Sequence, residues 1–457
     1  MSHQPPTITH LGGENCVTGS CHLLQAVGLN IMVDCGTAQG NDPQLPMAEW
    51  PVKSAEIDYL FLTHAHIDHI GRLPELIQNG FAGEIICSHP TKALLVPMLT
   101  DVMGFSKMNK SQIKKMAKVI DDLSWGFEYG QNFKLKKGVF FKLGRAGHIM
   151  GSAFFRFSFP AGKNRQYSVI FSGDLGCKNT PILPDPDTPD SCDLLIMEST
   201  YGNRNHEGRE ERLRTLGEKL VKALADKGKV FIPAFSLGRT QEILFELDRL
   251  FSDEMWQKVF PELSPEDTSN PPIPVFVDSP LGLKITKIYS ELNSFWDSES
   301  KTLLAKGDHP FDFEHLYSVS RYKDHKTLLD IPGPAIIIAG SGMCTGGRIV
   351  EHLELGLEKP ENDIFFVGYQ VRGTPGYDII KYGQRPGGYV RLNNEKLFLR
   401  AKIVRLSGYS AHADQKGLLD WVSSMPQKPG QIKLVHGDDK AGHALRDELE
   451  RLGHKFI

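Results

Sequence analysis

Over its first sixty residues the chain places apolar positions in short bursts separated by turn residues, the pattern of strands rather than helices. Leu23 to Val27 and Ile31 to Val33 are two bursts joined across Gly28-Leu29-Asn30, and Ile57 to Leu62 is a third. A helix is predicted after Gly71 and Pro74, and residues 97 to 127 are predicted helical. Strands resume from Val139, through Phe154 to Phe159 and Ser168 to Phe171, and a further run is Leu194 to Met197.

Beyond residue 205 the texture changes. Leu213, Leu216, Leu220 and Leu224 recur at helical spacing, followed by strand-like Val230 to Ile232, a helix from Arg239 to Phe251, strand-like Val275 to Val277, another helix, and Ala335 to Ala339. Such alternation predicts a parallel sheet. Residues 261 to 274, rich in Pro, Ser, Asp and Asn, read as a loop inside this region. From about residue 396 the chain returns to strand, helix, strand: Ile403 to Leu406, Leu418 to Val422 and Ile432 to Val435.

At 457 residues the chain exceeds what one core usually serves, so two domains are expected. Its 52 basic and 55 acidic residues leave a formal charge of -3, so attraction to a polyanion would have to be local. The opening MSHQPPTITHLGG has no signal-peptide pattern, and no apolar run is long enough to span a bilayer. Seven cysteines without a CxxC pair read as reduced thiols. These features predict a cytoplasmic chain with no membrane partner.

The densest chemistry is His64-Ala65-His66-Ile67-Asp68-His69. In extended backbone, residues two apart point the same way, so His64 and His66 can address one metal; the turn that follows can aim Asp68 and His69 at a second. Two metals require further ligands and an anionic bridge. His148, in Gly147-His148-Ile149-Met150-Gly151, and Asp174, in Ser172-Gly173-Asp174-Leu175-Gly176, are candidates flanked by glycines that allow close backbone approach.

HAHIDH, GHIMGS, FSGDLG and the preceding VDCG resemble the metallo-β-lactamase fold. MESTYGNR (197 to 204), PAFSLGRTQE (233 to 242), SGMCTGGR (341 to 348), SGYSAHAD (407 to 414) and LVHGD (434 to 438) resemble its β-CASP nuclease branch, which includes the endonuclease subunit of eukaryotic mRNA 3′-end processing and its bacterial and archaeal relatives. The resemblance implies an αββα sandwich, residues 1–205 and 396–457, interrupted by an inserted α/β domain, residues 206–395, with a mainly parallel sheet. It implies two Zn2+ ions: His64, His66 and His148 on one, Asp68, His69 and His436 on the other, and Asp174 between them. Asp34 would orient a ligand, and His412 beside Glu198 would be a general acid. Histidine at position 436 is the RNA-branch pattern. The implied activity is hydrolysis of single-stranded RNA to 5′-phosphate and 3′-hydroxyl ends by a metal-activated hydroxide, cutting internally or from a 5′ end. A DNA nuclease, a small ester or thioester hydrolase and a non-catalytic scaffold are the rival readings, and a homodimer is compatible with all of them.

Local charge changes the picture drawn from the total. Between Phe365 and Arg405 eight basic residues stand against Asp378 and Glu395, a balance of +6 interleaved with Tyr369, Tyr377, Tyr382 and Tyr389. Cations for phosphates and aromatics for bases suit single-stranded RNA. The expected substrate contacts are Arg372 here, Ser341, Gly342 and Arg348 in the glycine-rich loop, and Ser236 with Arg239 at a helix start. The lysines at 107, 110, 114, 115 and 118 read as a solvated helix face.

Overall fold

The computed structural model describes residues 6–162, 165–206, 208, 211–263, 273–383 and 385–457. The chain divides into two units: residues 1–205 with 412–457, and residues 206–411. Residues 264–272 of the loop expected at 261 to 274, and the first five residues of the opening segment, lie outside the described residues.

In the first unit, strands Thr7–Gly12, Cys21–Ala26, Leu29–Val33, Tyr59–Phe61, Glu84–Ser88 and Ser124–Phe127 stand side by side in chain order. The first three pair antiparallel and the rest parallel. The second sheet runs Gln431–Val435, Leu194–Glu198, Gln166–Phe171, Ala153–Pro160, Phe140–Arg145 and Asn132–Lys134. Strand alternation decides what each face buries. Phe155, Phe157 and Phe159 turn into a core shared with Leu24, Ile31, Val33 and Phe61 of the first sheet, whereas Phe154 turns outward against Trp421. Helices Gln415–Ser423 and Asp439–Arg451 cover that outer face through Leu418, Trp421, Val422, Leu445 and Leu449. Helix His89–Gly104 packs on the other sheet, which completes the αββα sandwich.

Phe61 sits where the two sheets meet. Its ring contacts Phe141, Phe155 and Phe157 edge to face at 5.0, 5.1 and 4.7 Å. Phe61→Ala should therefore cost about 3–5 kcal/mol by denaturant unfolding. A loss below about 1 kcal/mol would mean that this packing contributes little.

The helix expected over 97 to 127 is a different arrangement: helix His89–Gly104, helix Lys110–Leu123 and strand Ser124–Phe127. Asn109 caps the second helix, its side chain accepting from the Gln112 amide while Gln112 reaches back, and this interrupts the run. The five lysines are exposed.

Residues 206–411 carry a wholly parallel sheet in the order Leu316–Ser318, Val275–Val277, Ala335–Ala339, Lys229–Pro233, Asp363–Phe366 and Lys402–Arg405. Helices including Arg212–Leu224, Arg239–Ser252, Pro280–Glu291 and Arg348–Gly356 connect its strands. Strand Lys402–Arg405 hydrogen-bonds to Asp363–Phe366 inside the inserted sheet, and this unit ends at residue 411.

Candidate metal centre

Every expected ligand belongs to the first unit and stands at a strand end or the helix start that follows it. Strand Tyr59–Phe61 delivers Thr63 and His64, and His66 is the residue at the mouth of the short helix Ile67–Ile70 that carries Asp68 and His69. His148 and Asp174 come from the turns after Phe140–Arg145 and Gln166–Phe171. A bridge between Gly147 and Leu175 joins these turns. A Cβ added at Gly176 would lie 1.9 Å from the Gly147 carbonyl oxygen, so glycine alone permits that approach.

The ring nitrogens converge on two points. His66 Nδ1 is 3.1 Å from His64 Nε2 and 3.1 Å from His148 Nε2. His69 Nε2 is 3.1 Å from His436 Nε2, and Asp68 Oδ2 lies 4.0 and 3.8 Å from those two nitrogens. Nitrogens bound to one tetrahedral zinc at its usual bond length would be about 3.3 Å apart. Asp174 serves both groups: Oδ2 is 3.5 and 3.6 Å from His64 and His148, and Oδ1 is 3.3 and 3.4 Å from His69 and His436. Asp174 Oδ1 is buried with no hydrogen-bond partner among the described residues, a cost that an ion would relieve.

The electrostatics agree. Burial pushes His64 and His148 well below the usual imidazole range and His66 to about 4, leaving neutral rings, the form that ligates a metal. His69 behaves oppositely: burial would lower it, but Asp174 and Asp34 outweigh that and hold it well above 6.5. The carboxylates therefore favour positive charge at this spot, from a proton or a metal. The donors fit two divalent cations of the zinc type, with His64, His66 and His148 around one, Asp68, His69 and His436 around the other, and Asp174 common to both.

Orientation comes from behind the ligands. Asp34, left-handed at φ 60°, accepts from the Thr63 amide and hydroxyl at 2.8 Å each and lies 2.7 Å from His69 Nδ1. Thr63 Oγ1 is also 3.1 Å from His64 Nδ1, so one hydroxyl touches residues of both groups. Thr200 Oγ1 lies 3.1 Å from His436 Nδ1 and donates to the His436 carbonyl at 3.0 Å. His436 is itself left-handed at φ 51°, a conformation that costs about 1–2 kcal/mol in a non-glycine residue and needs such support. Neither threonine was singled out from the sequence, although each adjoins a residue that was. Thr63→Val should weaken zinc affinity roughly 10- to 100-fold in chelator competition; unchanged affinity would remove Thr63 from this role.

His412 stands beside the cluster. Its Nδ1 is 3.2 Å from both oxygens of Glu198, and its Nε2 is 3.8 Å from Asp174 Oδ2. Burial alone would lower its pKa, but Glu198 and then Asp174 override this and lift it to about 9. Glu198 is fixed by the Leu175 amide at 2.6 Å and the Thr200 amide at 3.3 Å. A pattern recurs: Asp414 and Asp438, each two residues after a site histidine, cap the following helices, accepting from the amides of Gly417 and Ala441. The site histidines are thus held at helix entrances.

The residues expected to contact substrate lie in 206–411. Arg348 donates to Asp278 at 2.7 Å and to the carbonyls of Val319 and Ser320 at 2.8 Å each. Within that loop the amides of Ser341, Cys344 and Thr345 are bonded to Gly346, Ser341 and the Ser341 hydroxyl. Ser341 Oγ faces Thr345, and the Gly342 carbonyl accepts from Gln370. Arg239 is buried and paired with Glu242, and Ser236 faces the Ser279 hydroxyl at 3.2 Å. Arg372 is exposed. His352 shares Asp278 with His325, both at 2.6 Å, in a buried network that ties helices Tyr322–Asp330 and Arg348–Gly356 to the end of strand Val275–Val277.

Similarity to known proteins bears on this geometry. Residues 15–136 match the metallo-beta-lactamase superfamily, residues 240–379 the Beta-Casp domain, and residues 397–457 the Zn-dependent metallo-hydrolase RNA specificity domain. The chain is 35% identical to Ribonuclease TTHA0252 of Thermus thermophilus over 98% of its own length and 97% of that protein's. It is 29% identical to the Transcription termination factor FttA of Methanosarcina mazei, over 95% of this chain and 67% of that one. To the Cleavage and polyadenylation specificity factor 73 of Drosophila melanogaster it is 31% identical, over 97% of this chain and 61% of that one. With the αββα sandwich, the inserted parallel sheet and identity along its whole length to such relatives, the chain belongs to the β-CASP family of metallo-β-lactamase-fold nucleases.

Proposed function

We propose that the protein is a zinc-dependent ribonuclease that hydrolyses phosphodiester bonds of single-stranded RNA in RNA processing or decay, in the cytoplasm. The observation that carries this reading is Asp174, whose two oxygens face two separate groups of imidazoles while His412, backed by Glu198, stands on the same carboxylate. Two zinc ions held there would supply Lewis-acid charge that stabilises the transition state of phosphodiester hydrolysis at neutral pH. The chain's own residues do the rest. Glu198 keeps the His412 imidazole oriented and charged, so that a proton is available to the departing oxygen. Asp34, Thr63 and Thr200 hold the ligand rings in one tautomer and orientation. The names of the ribonuclease and of the RNA specificity domain support RNA as the polymer.

Matched single-stranded RNA and DNA oligonucleotides separate this from the nearest rival. We expect zinc-dependent cleavage of the RNA and at most weak cleavage of the DNA. Equal rates on both, or turnover of thioesters with neither polymer cut, would overturn it.

A further inference from the structure

Strands Tyr389–Leu392 and Glu395–Phe398 form a two-stranded antiparallel ribbon within residues 206–411. Alternation divides its side chains: Val390, Leu392 and Leu397 enter the core, and Tyr389, Arg391, Lys396 and Phe398 are exposed. In register, Tyr389 is opposite Phe398 and Arg391 is opposite Lys396. The outward face is therefore an aromatic pair next to a cation pair. Tyr389 is 44% and Phe398 39% exposed, and Lys396 Nζ lies 4.3 and 4.9 Å from their rings. Just after helix Pro375–Tyr382, the Arg385 guanidinium lies 5.2 Å over Tyr382 and repeats the pairing.

For a face that meets only water this is unfavourable. Like charges directly opposite on a ribbon repel, and exposed aromatics leave apolar surface wet. Nor are the cations neutralised internally. Of the eight basic residues between Phe365 and Arg405, only Lys402 has a carboxylate within 4.0 Å among the described residues, Asp226 at 2.6 Å and Asp363 at 3.9 Å. Flat rings for bases and cations without a carboxylate partner for phosphates are what a single-stranded polyanion of stackable bases needs, without sequence preference.

We propose that this ribbon is a second binding site, a platform for single-stranded RNA outside the linkage being cut. The proposal rests on the ribonuclease reading, because it supplies the same polymer. The platform would hold substrate through its bases and phosphates.

The test measures binding of a phosphorothioate-linked, hydrolysis-resistant single-stranded RNA of about 20 nucleotides to the zinc-loaded full chain. The Arg391→Glu/Lys396→Glu variant should bind at least roughly 10-fold more weakly, with its salt slope reduced by about 1.4. Tyr389→Ala/Phe398→Ala should lose affinity by a similar factor and keep its salt slope, because it removes stacking and no charge. Thermal unfolding checks that each variant is folded, and both replace exposed side chains. Wild-type affinity and wild-type slope in both variants would overturn the proposal. The two readings fail separately: a wild type that binds RNA through the ribbon and never cuts it refutes the ribonuclease, whereas cleavage with the ribbon irrelevant to binding refutes the platform.

Discussion

Asp174→Ala is expected to abolish cleavage of single-stranded RNA and to lower bound zinc from two ions per chain. The reason is geometric: this one carboxylate lies 3.3 to 3.6 Å from four imidazoles, two in each ligand group, so removing it strips both groups of their shared anion. Its pKa is held well below the carboxylate range: burial would raise it, but His436 and His69 outweigh that, so it is the anion that these rings are arranged around. Asp174→Asn, which keeps the shape and loses the charge, should also fail. Metal analysis beside a cleavage assay checks both. Retained zinc-dependent cleavage in Asp174→Ala would refute its place between the metals.

His412→Ala should behave differently. It should keep both zinc ions yet lose roughly 100- to 10,000-fold in turnover, the usual range for a positioned proton donor. The pH profile gives the sign. A general acid works protonated, and a pKa raised above 6.5 keeps the imidazolium present until pH rises through that raised value, so activity should fall on the alkaline side. Metal charge beside the ring opposes the imidazolium while Glu198 supports it, so the midpoint should lie below about 9. Glu198→Gln should shift the midpoint downward, and in His412→Ala this limb should vanish. If His412→Ala instead loses zinc in chelator titration, the residue is a ligand and not the acid.

The parts of the site that the sequence made legible are those whose residue types are rare in combination. Three histidines and an aspartate within six residues, with glycines bracketing His148 and Asp174, stand out because ordinary loops seldom concentrate such donors. The supports did not stand out. Thr63 and Thr200 are common residues whose roles depend on what folds against them, and nothing in a lone threonine announces a neighbouring imidazole. The partner of Arg348 was equally hidden: Asp278 lies 70 residues upstream, at the end of another strand. The break between helices at residues 105–109 was readable in principle, since Asn109 followed three residues later by Gln112 is a helix-start signature inside a run taken as continuous. The placement of Lys402–Arg405 was not readable, because hydrophobic alternation identifies a strand and is silent about which sheet receives it.

The central claim is that the chain hydrolyses RNA through two metals and a histidine acid, and the chemistry of the ends it leaves tests this most directly. A labelled single-stranded RNA treated with the zinc-loaded protein should yield 5′-phosphate and 3′-hydroxyl termini, because water attacks and His412 protonates the departing 3′ oxygen. Products ending in 2′,3′-cyclic phosphate with 5′-hydroxyl partners, or no cleavage by protein carrying two zinc ions, would contradict it.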